Sequence, residues 1–203
     1  MFFDNIRSLG LVLWIVVALM LVNSAIVILA VFTEDIVVLP DFVTNKTLYC
    51  IFLALGNVIS AILYAVNAHR VMMGKYKTKI AVLVAYMLTV GMCIFVDQLF
   101  NTAAIIYGCN ELAEGIFDMI AGMILSIIIL VCAAVIRSEK KSFLKKVVWG
   151  LLVLSFIVLL VGSLLPCDSY WELADSIAHL LLAIFMLMFL LDEEVRTTVG
   201  VKR

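Results

Sequence analysis

An acid and a histidine lie one helical turn apart in the segment DSIAHLLLAIF, residues 175 to 185. Residues four apart are neighbours on one face of a helix, so Asp175 and His179 can share a proton. Histidine changes its charge near neutral pH, which suits such a pair to proton sensing or acid–base chemistry. Three interpretations stay open: a hydrogen-bonded pair that fixes helix packing, a proton-responsive or transport site, and the acid–base pair of an enzyme.

The composition indicates where this segment must fold. The chain has 203 residues, of which 66% are hydrophobic and 14% are charged. Its mean hydropathy is +1.24. Apolar residues usually make up about half of a soluble domain. With only two prolines and ten glycines there is no room for a long flexible linker. The sequence therefore predicts an all-α integral membrane protein of one domain.

Six runs are close to the length that a bilayer requires, which is about 20 apolar residues for a helix. The segment LFNTAAIIYG, after the third run, is too short to cross by itself and is expected in the interface or capping the bundle. The six predicted spans are Leu9 to Phe32, Leu48 to Ala68, Ile80 to Val96 or a little further, Gly115 to Ile136, Val147 to Pro166 and Leu173 to Leu191.

The links between the spans alternate in charge. Two links are basic, HRVMMGKYKTK (69 to 79) and RSEKKSFLKK (137 to 146), and the other three are mostly acidic. With the two termini included, 13 of the 14 Lys and Arg residues fall on one side, and only Lys46 lies opposite. Basic residues concentrate on the cytoplasmic side of membrane proteins. Both termini are therefore predicted to be cytoplasmic.

The even-numbered spans repeat one pattern. DMIAGMILS (118 to 126) aligns with DSIAHLLLA (175 to 183), and LGNVIS (55 to 60) aligns with AGMILS (121 to 126). The chain is thus predicted to consist of three helical hairpins, at about 8–70, 79–137 and 146–196. Small residues four apart let membrane helices approach closely. The predicted packing positions are Gly56, Ser60, Gly122 and Ser126.

The returning helices of the first two hairpins carry Gly/Ser patterns, as in FLALGNVISAILYAVNAHR and FDMIAGMILSIIILVCAAVIR. A chain of three such hairpins resembles the HdeD-like family of bacterial inner-membrane proteins. The likeness covers most of the chain and rests on spacing and small residues, and the third hairpin departs from it at His179. It implies a role in acid resistance and a location in the bacterial inner membrane. It gives no catalytic residue to carry over.

Ionisable residues within spans are costly in a bilayer and are candidates for function. Asp97, Asp118 and Asp175 are predicted near one level at the outer end of their spans, with His179 one turn deeper. If the three hairpins pack around a common axis, these four residues could converge as a proton- or ligand-responsive site. No metal-ligand spacing occurs, so neither a metal nor a cofactor is expected. Uncharged Asn23, Asn57 and Asn67 are expected to form hydrogen bonds between helices.

Common enzyme signatures are absent from the sequence: it has no GxxxxGK[ST], HExxH or GxSxG motif. The first hypothesis is a non-enzymatic protein of acid or envelope stress. The second is a small-solute or proton transporter or channel, including the substrate-binding subunit of a vitamin importer, and the third is a membrane enzyme using Asp175 and His179. The expected partners are the bilayer and a second copy or another membrane protein; nucleic acid is not expected, because topology explains the short basic loops.

Overall fold

All the secondary structure in the described part of the chain is helical. The computed structural model describes residues 6–33, 43–109, 112–138, 143–165 and 170–201, without the side chains of residues 112–115, 118, 170–172 and 175. In order, the helices are α1 (Ile6–Leu29), α2 (Lys46–Met72), α3 (Lys79–Ile106), α4 (Leu112–Arg137), α5 (Phe143–Gly162), α6 (Tyr170–Leu191) and α7 (Glu193–Val199).

Five to six of these helices are long and apolar enough to span a membrane. The five that qualify alone are α1, α2, α3, α5 and the Met119–Arg137 part of α4. The sixth is a bent pair, in which Ser176–Leu191 of α6 and Glu193–Val199 of α7 meet at 63°. An all-helical chain with several candidate spans is thus confirmed, whereas α7 and the bend before it were not predicted.

Three helices begin at side chains that cap their free N–H groups. The Asn45 side chain accepts a hydrogen bond from the backbone N–H of Leu48 before α2, and Thr78 accepts one from Ala81 before α3. Asp192 accepts one from Glu194 and so starts a new helix directly after α6. Such caps satisfy donors that lack a partner within the helix, which explains why the chain bends at Asp192.

The third helix extends well beyond the end predicted for it near Val96. It continues to Ile106 and ends in a turn at Gly108, whose φ is +66°. Residues 99–106 therefore continue α3, and their location in the interface or as a cap of the bundle stays a prediction. Their Ala and Ile residues favour an uninterrupted helix, and at 1.5 Å per residue the 28 residues of α3 span about 42 Å.

The helices pack mainly as consecutive neighbours, and α3 has the most central position. The closest pairs are α1 with α2 and α3 with α4, and further contacts join α2 to α3, α1 to α6 and α5 to α6. In the core the Tyr86 ring of α3 lies 6.3 Å from Tyr64 of α2 and 6.0 Å from Phe156 of α5. Apolar side chains of α4 and α5 face outward, where lipid would cover them.

Most basic residues gather at one end of the bundle, which we call the basic end. Lys79, at the start of α3, forms an ion pair with Asp192, and its backbone N–H donates to Glu194 at 3.3 Å. A Cβ on Gly10 would lie 2.6 Å from Met72 Cγ, so α1 starts beside the end of α2. The described basic residues here are Arg7, Arg70, Lys75, Lys77, Lys79, Arg137, Lys145, Lys146 and Arg196.

Candidate functional site

A group of polar side chains on α3 lies toward the end opposite the basic end. Asp97, Gln98 and Asn101 line a cavity of about 380 Å³ between α2 and α3. We call it the Asp97 pocket. Its other walls are mostly aromatic and small residues, including Phe52 and Gly56 of α2. Asp97 itself is solvent-exposed at the pocket, so its carboxylate faces an opening between two spans.

Two glycines make room for the polar side chains of α3. A Cβ on Gly56 would lie 3.2 Å from a carboxylate oxygen of Asp97. A Cβ on Gly122 of α4 would lie 2.4 Å from both Cδ and Nε2 of Gln98, which is closer than atoms can approach. The absence of a side chain at these positions is what allows α2 and α4 to pack against the polar face of α3.

The two serines of the repeated pattern also face α3, one turn further along. Ser126 Oγ donates a 2.8 Å hydrogen bond to the carbonyl of Gly91, and both groups are buried. The carbonyl of Ser60 faces the Cys93 thiol, with Sγ 3.8 Å away. All four predicted packing residues therefore lie against a single helix. The sequence pattern did not identify Gly91 and Gln98 as their partners, because it compared even-numbered spans only with each other.

The position of Asp97 along α3 determines its depth. It lies 18 residues after Lys79, which is about 27 Å along a helix axis. A bilayer core is about 30 Å thick. If Lys79 sits at the membrane boundary on the basic end, Asp97 lies just inside the opposite boundary.

Hydrogen bonds and ring contacts fix the end of the bundle beyond the Asp97 pocket. The Phe52 ring lies 6.3 Å from Phe100 and 5.8 Å from Tyr107. Thr44 donates through its N–H to the carbonyl of Cys109 at 2.8 Å. Burial raises the pKa of the Cys109 thiol, which therefore stays uncharged near neutral pH. The start of α2 is thus attached to the end of α3 above the pocket.

The remaining predicted site residues lie on α4 and α6. His179 is half-buried on α6, and the side chains of Asp118 and Asp175 lie outside the described residues. Convergence of these groups with Asp97 stays a prediction. Among the described side chains, no three His, Cys, Asp or Glu residues come close enough to hold a metal ion.

Buried asparagines differ from the expectation of hydrogen bonds between helices. Within the described chain, Asn23 Oδ1 and both polar atoms of Asn67 are buried without a hydrogen-bond partner. Buried amides normally find partners, since leaving one unpaired costs about 1 to 3 kcal/mol. Asn67 therefore needs a separate explanation, which its surroundings provide below.

The described part of the chain is all-helical, has five to six helices that are long and apolar enough to span a membrane, and contains a pocket lined by polar residues. No protein-family model matches this chain, and neither a curated protein nor a solved structure shows significant similarity to it.

Replacement of Gly122 by alanine should destabilise the protein by about 1 to 3 kcal/mol, the usual cost of overpacking. The added methyl group would overlap Gln98, so the Gln98→Ala substitution should restore most of the lost stability in the double variant. Thermal unfolding of the purified variants measures both effects.

Gly150→Ala is the matched control, because a Cβ at Gly150 would meet no atom within 4 Å. Its unfolding temperature should stay close to that of the unmodified protein. If Gly122→Ala is no worse than this control, or if Gln98→Ala does not relieve it, Gly122 does not serve to accommodate Gln98.

Proposed function

We propose that this chain is a non-enzymatic protein of a bacterial inner membrane that responds to acid or envelope stress. The observation that carries the proposal is the position of Asp97, whose carboxylate lines a pocket between α2 and α3 toward the end opposite the basic end. The likeness to HdeD-like proteins supports the same role. In this arrangement the basic end and both termini are cytoplasmic, and the Asp97 pocket opens to the outside.

Protonation of Asp97 is the chemical event in this proposal. A charged carboxylate favours hydration and keeps the pocket open at its depth in the membrane. When the outside becomes acidic, the Asp97 carboxyl group binds a proton and becomes neutral. The neutral group is less strongly hydrated, so α2 and α3 can pack more closely over Gly56. The change in packing is the signal, and it requires no bond to be made or broken. Asp118, Asp175 and His179 are proposed as further members of the same response.

A second candidate is a small-solute or proton transporter. The volume of the Asp97 pocket, about 380 Å³, is in the range of small-molecule sites, and it has polar groups from α3. A proton transporter would carry protons through reconstituted vesicles down a pH gradient and would lose this flux in Asp97→Asn. A stress-responsive scaffold would give the flux of empty vesicles in both cases.

A strain that lacks the gene should survive acid challenge worse than one complemented with the unmodified gene. Complementation with Asp97→Asn should fail, because the amide has the size of the carboxyl group but cannot bind a proton. Viable counts after exposure to acidic medium give the measurement, with membrane levels of each variant checked by immunoblot.

The matched control is Glu193→Gln, which removes an exposed carboxylate at the basic end. It should restore survival fully. Equal complementation by Asp97→Asn and the unmodified gene would contradict a role for the Asp97 carboxyl group in acid response.

The proposed orientation predicts which loops an impermeant thiol reagent can reach in intact cells. In a variant whose native cysteines are replaced, a single cysteine at Thr47 should be labelled from outside, and one at Lys75 only after the cells are opened. Both positions are exposed and lie at opposite ends of α2. The reverse labelling pattern would invert the orientation and place the Asp97 pocket on the cytoplasmic side.

A further inference from the structure

A second and larger cavity lies at the basic end, and the acid response does not use it. It has a volume of about 620 Å³ and lies along α2 and α3, with Arg137 of α4 at its edge. We call it the Arg70 groove. Arg70 and Asn67 of α2 contribute its polar side chains, together with Tyr76 and Thr78 of the link to α3.

Asn67 is a buried polar residue of the groove whose amide lacks a partner among the described residues. Its residue is only 4% exposed, and within the described chain neither its Nδ2 nor its Oδ1 has a hydrogen-bond partner. It lines the groove three residues before Arg70, and residues three apart share one helix face. A ligand with hydrogen-bonding oxygens, bound beside Arg70, would supply the partner that the amide lacks.

The charge of the groove favours an anion. Two guanidinium groups from different helices line it, Arg70 of α2 and Arg137 of α4. Arg70 lies over the Tyr76 ring, 5.8 Å from its centre, and among the described residues no carboxylate pairs with either arginine or lines the groove.

Apart from Thr89, the rest of the groove is apolar and runs along α3 away from the basic end. From Ile80 to Met92 the groove follows α3 for 12 residues, or about 18 Å. This is close to the depth of one leaflet, half of a core of about 30 Å. Val66 of α2 and Leu88 of α3 line it and are 53% and 40% exposed, so the groove is accessible from the lipid side of the bundle.

We propose that the Arg70 groove binds one anionic phospholipid from the leaflet at the basic end. The phosphodiester lies between Arg70 and Arg137, where arginine can donate two hydrogen bonds to one phosphate. Asn67 donates to an ester oxygen deeper in the groove, and an acyl chain follows the apolar surface of α3 toward Met92. The length of the apolar surface favours a lipid over free phosphate, which would leave it uncovered.

Native mass spectrometry of the delipidated full chain, titrated with phosphatidylglycerol, phosphatidylcholine or inorganic phosphate, tests this proposal. One phosphatidylglycerol should bind more tightly than phosphatidylcholine, and inorganic phosphate should not displace it. The Arg70→Gln/Arg137→Gln variant should bind phosphatidylglycerol about 30-fold more weakly, because each basic residue near anionic lipid contributes about fivefold. Both arginines are exposed, so these substitutions leave the helix packing intact.

The control variant is Lys75→Gln/Lys77→Gln, which removes two exposed charges at the same end but outside the groove. It should bind phosphatidylglycerol as the unmodified chain does. The proposal is overturned if this control weakens binding as much as the arginine variant, since the effect would then be general surface charge. Equal affinity for phosphatidylcholine, or displacement of the lipid by inorganic phosphate, would overturn it as well.

Discussion

The fold depends on one constraint: polar side chains on a membrane helix need space and partners, because hydrocarbon surrounds the bundle. In a bilayer, water cannot supply the missing hydrogen bonds, so neighbouring helices must provide both space and partners. Here α3 carries the polar groups, and the helices on either side provide glycines at the matching level. Gly122 leaves space for Gln98, and Ser126 donates to the carbonyl of Gly91.

The two ends of the bundle differ in chemistry, and each has its own cavity. At the basic end, the ion pair of Lys79 with Asp192 holds α7 across the start of α3, while Val195 and Val199 of α7 are buried in the core. At the opposite end, aromatic contacts and the hydrogen bonds of Thr44 enclose the Asp97 pocket. A proton-responsive carboxylate at one end and an anion-binding groove at the other would let the same pair of helices, α2 and α3, respond to both membrane surfaces.

The sequence predicted the helices better than it predicted their partners. Apolar runs set the spans, because about 20 residues must cross the hydrocarbon whatever they pack against. The same criterion ended α3 too early, at the first cluster of polar residues, although the helix continues past Asp97 and Gln98 to Ile106. It also gave no sign of α7, which depends on the Asp192 cap and on burial of two valines. Their spacing in the sequence predicts that Asn67 and Arg70 share a helix face. Only the structure shows that Arg137 lines the same groove.

Difference infrared spectroscopy of the protein, reconstituted in vesicles with one orientation, would test the central claim most directly. The medium on the side of the Asp97 pocket is acidified while the other side is held near neutral. The account predicts a new absorption of a protonated carboxyl group that is missing in Asp97→Asn. An unchanged spectrum, or the same new absorption in Asp97→Asn, would contradict proton binding by Asp97 from that side.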